Sequence, residues 1–119
     1  MNYTVTDIPL KKLNTHSTSK RKCELHKFTD GTEFMMYIIT CRKRVAQFVF
    51  DPEDFDVIDG VAWVIGPRPH DAVLCKISNL SMYTLMLSCP WYILDRKHYS
   101  ATHIHPQFKS TKNNDFRKV

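Results

Sequence analysis

No stretch of this chain approaches the ~18 consecutive apolar residues that a membrane-spanning helix needs, so a helical membrane span is excluded. The four cysteines, Cys23, Cys41, Cys75 and Cys89, form no Cys-x-x-Cys motif, and no two are close in sequence. Cys41, Cys75 and Cys89 end or interrupt apolar runs, so buried thiols are expected, with disulfides as the open alternative. There is no internal repeat and no low-complexity tract, which excludes a repeat array. The opening residues, Met-Asn-Tyr-Thr-Val-Thr-Asp, lack the basic and apolar regions of a secretory signal. The expected location is therefore cytoplasmic, in the interior of a host cell.

What is present fits one folded domain. The chain has 119 residues, 43% of them hydrophobic, including seven Phe, five Tyr and two Trp. A domain of this size buries about two-thirds of the surface its unfolded chain exposes. The net charge is +5, which favours encounters with polyanions without specifying one. Cations cluster at Lys20-Arg21-Lys22, at Arg42-Lys43-Arg44, and at Lys109, Lys112, Arg117 and Lys118. These ten are the candidate nucleic-acid contacts. Asp51, Glu53, Asp54, Asp56 and Asp59 form an acidic block between them. Such a dipolar surface suits DNA on one side and a basic protein on the other, and it is equally what ordinary solvated charge looks like.

Local patterns predict an α+β fold: a small mixed or antiparallel sheet, short helices and a C-terminal ββα unit. Residues 1–9 suit a short strand ending at Pro9, residues 14–22 a basic loop, and Asp30-Gly31 a turn. The runs 34–41 and 45–50 are rich in β-branched and aromatic residues, and the basic link between them suggests a hairpin. Asp51-Pro52-Glu53-Asp54 reads as a helix opening, with Asp51 as the cap and Gly60 as the stop. Strands are expected at 63–65 and 72–77, with a loop between them at 66–69. A short helix is expected over 81–87, ended by Pro90. The Pro90–Leu94 run, with Trp91 and Tyr92 as candidate protein-interface anchors, reads either as an exposed patch or as a core strand. Residues 97–105 suit a strand, and Ser110 suits the cap of a final helix to about residue 118.

The C terminus carries the candidate chemistry. On a strand, His103 and His105 would share a face. Together with His98 and Asp115 they would form a metal site, or His103 would act as general base while Asp115 held a divalent ion. Structural or surface histidines are the plainer reading. Thr102 to Arg117 resembles, without a gap, the C-terminal pattern Asp-His-Ile-Asn-x-Asn-x-x-Asp-Asn-Arg-x-x-Asn-Leu-Arg. That pattern belongs to phage-type HNH endonucleases and their homing-endonuclease relatives. His103, Ile104 and Arg117 match it, and Phe116 stands for Leu. Thr102 replaces a metal-binding Asp, His105 and Gln107 replace two Asn, and Ser110-Thr111 replaces the Asp-Asn pair. Asp115 falls on the final Asn, a ligand in such enzymes. Upstream, Asp51-Pro-Glu-Asp54 and Trp63 repeat the family layout, whereas Met82–Leu85 lacks its His-Arg pair.

The resemblance implies an HNH-like region over 45–119, preceded by a strand pair and basic loop over 1–44, together forming one compact domain. It further implies a degenerate member of the family, because a neutral hydroxyl replaces a carboxylate ligand. The expected function is nucleic-acid binding, with DNA as partner, without efficient cleavage. A phage-encoded inhibitor of a host nuclease, polymerase or defence protein is the alternative, and an active metal-dependent nuclease is the third reading. No cofactor is expected; if one is used, it is a divalent Mg, Mn or Zn ion.

Overall fold

In the computed structural model, residues 3–11, 20–61, 63–65, 73–77, 86–88 and 90–119 are described. Four strands run in chain order: β1 (Tyr3–Ile8), β2 (Lys20–Phe28), β3 (Glu33–Cys41) and β4 (Arg44–Phe50). They form an antiparallel meander. The β2–β3 turn uses Gly31 at φ 93°, and Asp30 accepts a 2.8 Å hydrogen bond from the Thr32 amide. The β3–β4 link is the expected hairpin, its turn at Arg42-Lys43, with Arg42 in the left-handed region at φ 57°.

After β4, Pro52–Asp54 forms a 3-10 turn and Phe55–Ile58 the short helix α1, followed by Gly60 at φ 96°. The predicted helix opening is present, but Asp51 does not cap it. Its Oδ2 instead accepts from the Lys118 backbone N–H at 3.0 Å and from Lys118 Nζ at 2.8 Å. Tertiary pairing with the C terminus has taken the carboxylate from its local role.

Three short strands, β5 (Trp63–Ile65), β6 (Val73–Ile77) and β7 (Met86–Ser88), form a second antiparallel sheet. β7 corrects the end of the helix expected over 81–87: Met86 and Leu87 are in a strand that pairs with Cys75–Ile77. Ladder bonds to β6 override the weak helical spacing. Residues 66–69, 81–85 and Cys89 lie outside the described residues, as do residues 12–19 of the basic loop. Pro90 starts a helix rather than ending one: α2 spans Pro90–Thr102. A proline in the first helical turn loses no helical hydrogen bond.

The chain then runs through β8 (Phe108–Ser110), a 3-10 turn over Thr111–Asn113, and β9 (Asp115–Lys118). The predicted strand over 97–105 and helix over 111–118 are both corrected, and the terminal order is helix–strand–strand instead of ββα. Burial explains the reversal. Leu94 and Phe116 are both fully buried, one from a helix and the other from a strand lying parallel to β4. Asn114 adopts φ 57°, ends the 3-10 turn, and accepts a 2.9 Å bond from the Val49 amide. The large sheet therefore has the order β1-β2-β3-β4-β9-β8. It continues across residues 44 and 45, where the two sequence regions were expected to meet.

One face of this sheet makes the core. Met35, Tyr37 and Ile39 alternate inward on β3, as do Ala46, Phe48 and Phe50 on β4. Cys23, Ile58, Trp63, Val73, Leu94 and Phe116 complete the cluster. Trp63 crosses Phe48 edge-on and donates its Nε1–H to the Ile58 carbonyl at 3.1 Å. Of the thiols expected to be buried, Cys41 is only half-buried, whereas Cys23, outside that expectation, is buried. No described helix is long and apolar enough to cross a membrane.

Candidate nucleic-acid interface

Antiparallel pairing of β2 and β3 puts Lys20 opposite Thr40, next to the Arg42-Lys43 turn. Two basic clusters separated by about 20 positions in sequence thus meet at one end of the sheet, because the strands that carry them are hydrogen-bonded neighbours. Lys20, Arg42 and Lys43 are exposed, and their side chains form no hydrogen bond or ion pair with a described residue. Arg44 and Arg21 are half-buried. Arg21 donates to Tyr37 Oη at 3.1 Å and to the Lys11 carbonyl at 2.9 Å, so it braces this end. β2 also runs three residues beyond its last pair with β1, Ile8↔Cys23. There the chain leaves an open hollow of about 540 Å³, lined by Leu10, Lys20, Arg21, Lys22, Cys23 and Ile38 among others.

The remaining cations have other places. Lys22 bridges Glu24 (3.1 Å) and Asp7 (3.4 Å). Arg117 clasps both oxygens of Asp115, at 2.8 and 2.7 Å, and its guanidinium lies 5.2 Å from the Phe34 ring centre. Lys109 and Lys112 are exposed, on the β8 edge and the turn after it. Lys118 is no surface contact. Its ammonium sits among Asp51 (2.8 Å), Glu53 (2.9 Å) and Asp54 (2.6 Å).

Asp54 is the most deeply placed charge among the described residues, with no exposed surface. Pro52–Asp54 turns it inward, and α2 brings His98 to its Oδ1 at 2.6 Å and Lys97 at 3.2 Å. Lys97 also bonds Asp56 at 2.7 Å. Burial alone would raise the Asp54 pKa, but hydrogen bonds from Lys118 and His98 outweigh it and hold the carboxyl below its ordinary range. Burial likewise disfavours the charged form of Lys118, yet Asp51, Asp54 and Glu53 hold it above the ordinary lysine value. The ligand atoms of Glu53, Asp54 and His98 all lie within 4.8 Å of one another, so the trio could hold a divalent ion. Two ammonium groups already supply the positive charge these oxygens need, which makes the cluster a charge clamp joining the Pro52–Asp54 turn, α2 and β9.

The residues expected to form a C-terminal site are dispersed. His98 faces Asp54. His103 ends α2 at φ 59°, its amide on the Tyr99 carbonyl, and is exposed. His105 stacks on Tyr99 at 4.1 Å and bonds Asp95 at 2.9 Å. Asp115 is held by Arg117. The helix separates His103 from the strand geometry that would have aligned it with His105. Thr102 bonds the His98 carbonyl at 2.8 Å, as a helix-terminal hydroxyl does. Tyr83, Thr84 and the rest of Met82–Leu85 lie outside the described residues. Trp91 is 43% exposed at the start of α2, and Tyr92 is half-buried under Arg96. Ile93 and Leu94 pack into the core, so the Pro90–Leu94 run divides between surface and interior.

Sequence reasoning missed Asp54, Lys97 and Glu24 as partners. A signal for the first two was present: Pro90, Leu94, Lys97 and His98 fall at i, i+4, i+7 and i+8, a single helical face. Comparison with known protein families, curated proteins and solved structures finds no match.

Proposed function

We propose that this protein binds nucleic acid through the basic end of its large sheet and does not cut it efficiently. The observation that carries the reading is the convergence of Lys20, Arg42 and Lys43, exposed and with side chains uncommitted to described residues, beside Arg21, Lys22 and Arg44. Cations held on paired strands form a fixed array, and a phosphate backbone is the polyanion such an array suits. The acidic groups are largely held at the other end, around Lys97 and Lys118. Weak cleavage is the companion reading, because His103 and His105 lie against the Tyr99 ring, with His105 bonded to Asp95, while Asp115 is taken by Arg117, so the three do not converge on one ligand position. Plasmid and single-stranded DNA incubated with the protein and magnesium, manganese or zinc are expected to stay intact. Turnover lost in His103→Ala and Asp115→Ala would instead identify a nuclease of the HNH-like kind the terminal pattern resembles.

A second reading, a protein inhibitor, draws on the exposure of Trp91 (43%), Tyr99 (40%) and Ile104 (70%) along and just beyond α2. A partner held there would lose roughly 2 kcal/mol or more of binding in Trp91→Ala. Nucleic-acid affinity would be untouched.

A further inference from the structure

The large sheet has a second face, turned away from the core. The register places Tyr3 opposite Phe28 and His26 opposite Phe34 on that face. Tyr3 and Phe28 stack with centroids 4.7 Å apart at 24°, and Phe28 and Phe34 follow at 6.1 Å and 37°. Arg117 extends the row from β9, 5.2 Å from the Phe34 centre. Rings from three adjacent strands and a guanidinium from a fourth therefore form one continuous row. Tyr3 is 46% exposed and the two phenylalanines are half-buried, whereas Tyr37, Phe48, Phe50 and Phe116 on the core face are wholly buried.

The row is held in place from beneath. His26, buried between Tyr3 and Phe34, bonds the Tyr3 hydroxyl through Nδ1 and Glu24 through Nε2 at 3.1 Å. Lys22 in turn pairs with Glu24 and Asp7. Every acid on this face thus has a cation: Asp7 and Glu24 have Lys22, and Asp115 has Arg117. The face is close to neutral and rich in rings, while Lys20, Arg42 and Lys43 lie at the other end of the sheet; Lys27, beside Phe28, alternates to the opposite face. From Lys20 to Phe28 is eight residues, roughly 27 Å at the rise of a strand.

Resting on the nucleic-acid reading above, we infer that this row is a stacking platform for unpaired bases, so that the nucleic acid bound is single-stranded. The sheet separates two tasks. Its basic end attracts phosphate, and its neutral aromatic row offers π-faces without repelling the backbone. Base faces inside a duplex are already stacked on one another, so rings on a flat sheet gain contact only with bases that are unpaired. A guanidinium at the end of the row adds cation–π contact to the same surface.

The test uses the full chain and three probes: a mixed-sequence DNA strand of about 16 nucleotides, the upper end of such sites, its blunt duplex, and inorganic polyphosphate. Phe34→Leu and Tyr3→Leu remove a ring and keep apolar bulk. The single strand is expected to bind more tightly than the duplex. Each variant is expected to lower that affinity about tenfold and to leave polyphosphate binding unchanged. Tyr3 lies on the exposed edge strand, so Tyr3→Leu carries the test alone if Phe34→Leu melts early. Equal or tighter duplex binding, or ring variants without effect on the single strand, overturns the platform and leaves nucleic-acid binding standing. Binding to none of the three probes overturns both.

Discussion

Asp54 shows how one side chain holds three elements together. Its carboxylate has no exposed surface, and its two oxygens meet His98, Lys97 and Lys118. Asp54→Ala is expected to cost about 3 kcal/mol in denaturant unfolding, because it strips a buried ion pair of one partner. Asp51 and Glu53 still neutralise Lys118, which keeps the cost at the lower end of the range for such pairs. The pH dependence follows from the directions of the shifts. Asp54 lies below its unfolded value, so its stabilisation is complete above about pH 4 and is lost as pH falls through the folded pKa. Lys97 is raised, with burial opposing and Asp56 and Asp54 prevailing, and Lys118 is raised by its three acids. Their stabilisation is present below about pH 10.4 and is lost above it as the folded pKa is passed. The Cys23 thiol, whose folded pKa is also raised, starts the alkaline loss earlier, from about pH 8.5. A melting-temperature profile should therefore fall below about pH 4 and above about pH 8.5, and Asp54→Asn should flatten the acid limb. Dialysis against EDTA should leave the melting temperature unchanged, since lysines already occupy the carboxylates. A drop of several degrees, restored by one added metal, would show that the Glu53–Asp54–His98 trio holds an ion. Cys23 is a further residue-scale check. Its thiol is pushed up to about 12 by burial first, with the Asp59 and Glu24 charges adding to it. It should resist iodoacetamide in the native protein and label only on unfolding, as peptide mass spectrometry would show.

The elements divide into those that local chemistry dictates and those decided by distant contacts. The 34–50 hairpin was legible because alternating β-branched and aromatic residues flank a short polar link, and both strands occur as read. The Pro52 turn and Gly60 stop were legible for similar reasons. The C-terminal half was not. In residues 97–105 the His103 and His105 spacing suits a strand, yet Leu94, Lys97 and His98 must reach the core and Asp54 together, which only a helix allows. Residues 111–118 have a cap-like Ser110, but Phe116 gains more by joining β4 than a short isolated helix can offer. The candidate site was legible only in its cations, since their convergence depends on strand pairing. Phe116→Ala should therefore cost about 3–5 kcal/mol, as a buried aromatic does. Trp91→Ala should change stability by no more than about 0.5 kcal/mol, given its surface position. Equilibrium urea unfolding of the two variants side by side checks both expectations, and comparable losses would place Trp91 in the core.

At the scale of the whole molecule, the charge pattern of the sequence becomes an axis. Strand pairing collects Lys20–Lys22 and Arg42–Arg44 at one end of the large sheet, while the acidic residues of 51–56 bind lysines beyond the other. Net charge alone would attract any polyanion, whereas this polarity fixes which end meets it. Lys109 and Lys112 stand across the sheet and Lys118 is committed inward, so the C-terminal cations contribute less than their number suggests. The most direct test is a salt-resolved titration of a single-stranded oligonucleotide, run on the wild type and on a Lys20→Ala, Arg42→Ala, Lys43→Ala triple variant of matched melting temperature. Each phosphate contact removed should lower the slope of log K against log salt by about 0.7 on single strands, so the triple variant should lose about two from the slope and bind more weakly at every salt concentration. Unchanged affinity and unchanged slope in the folded triple variant would contradict the account.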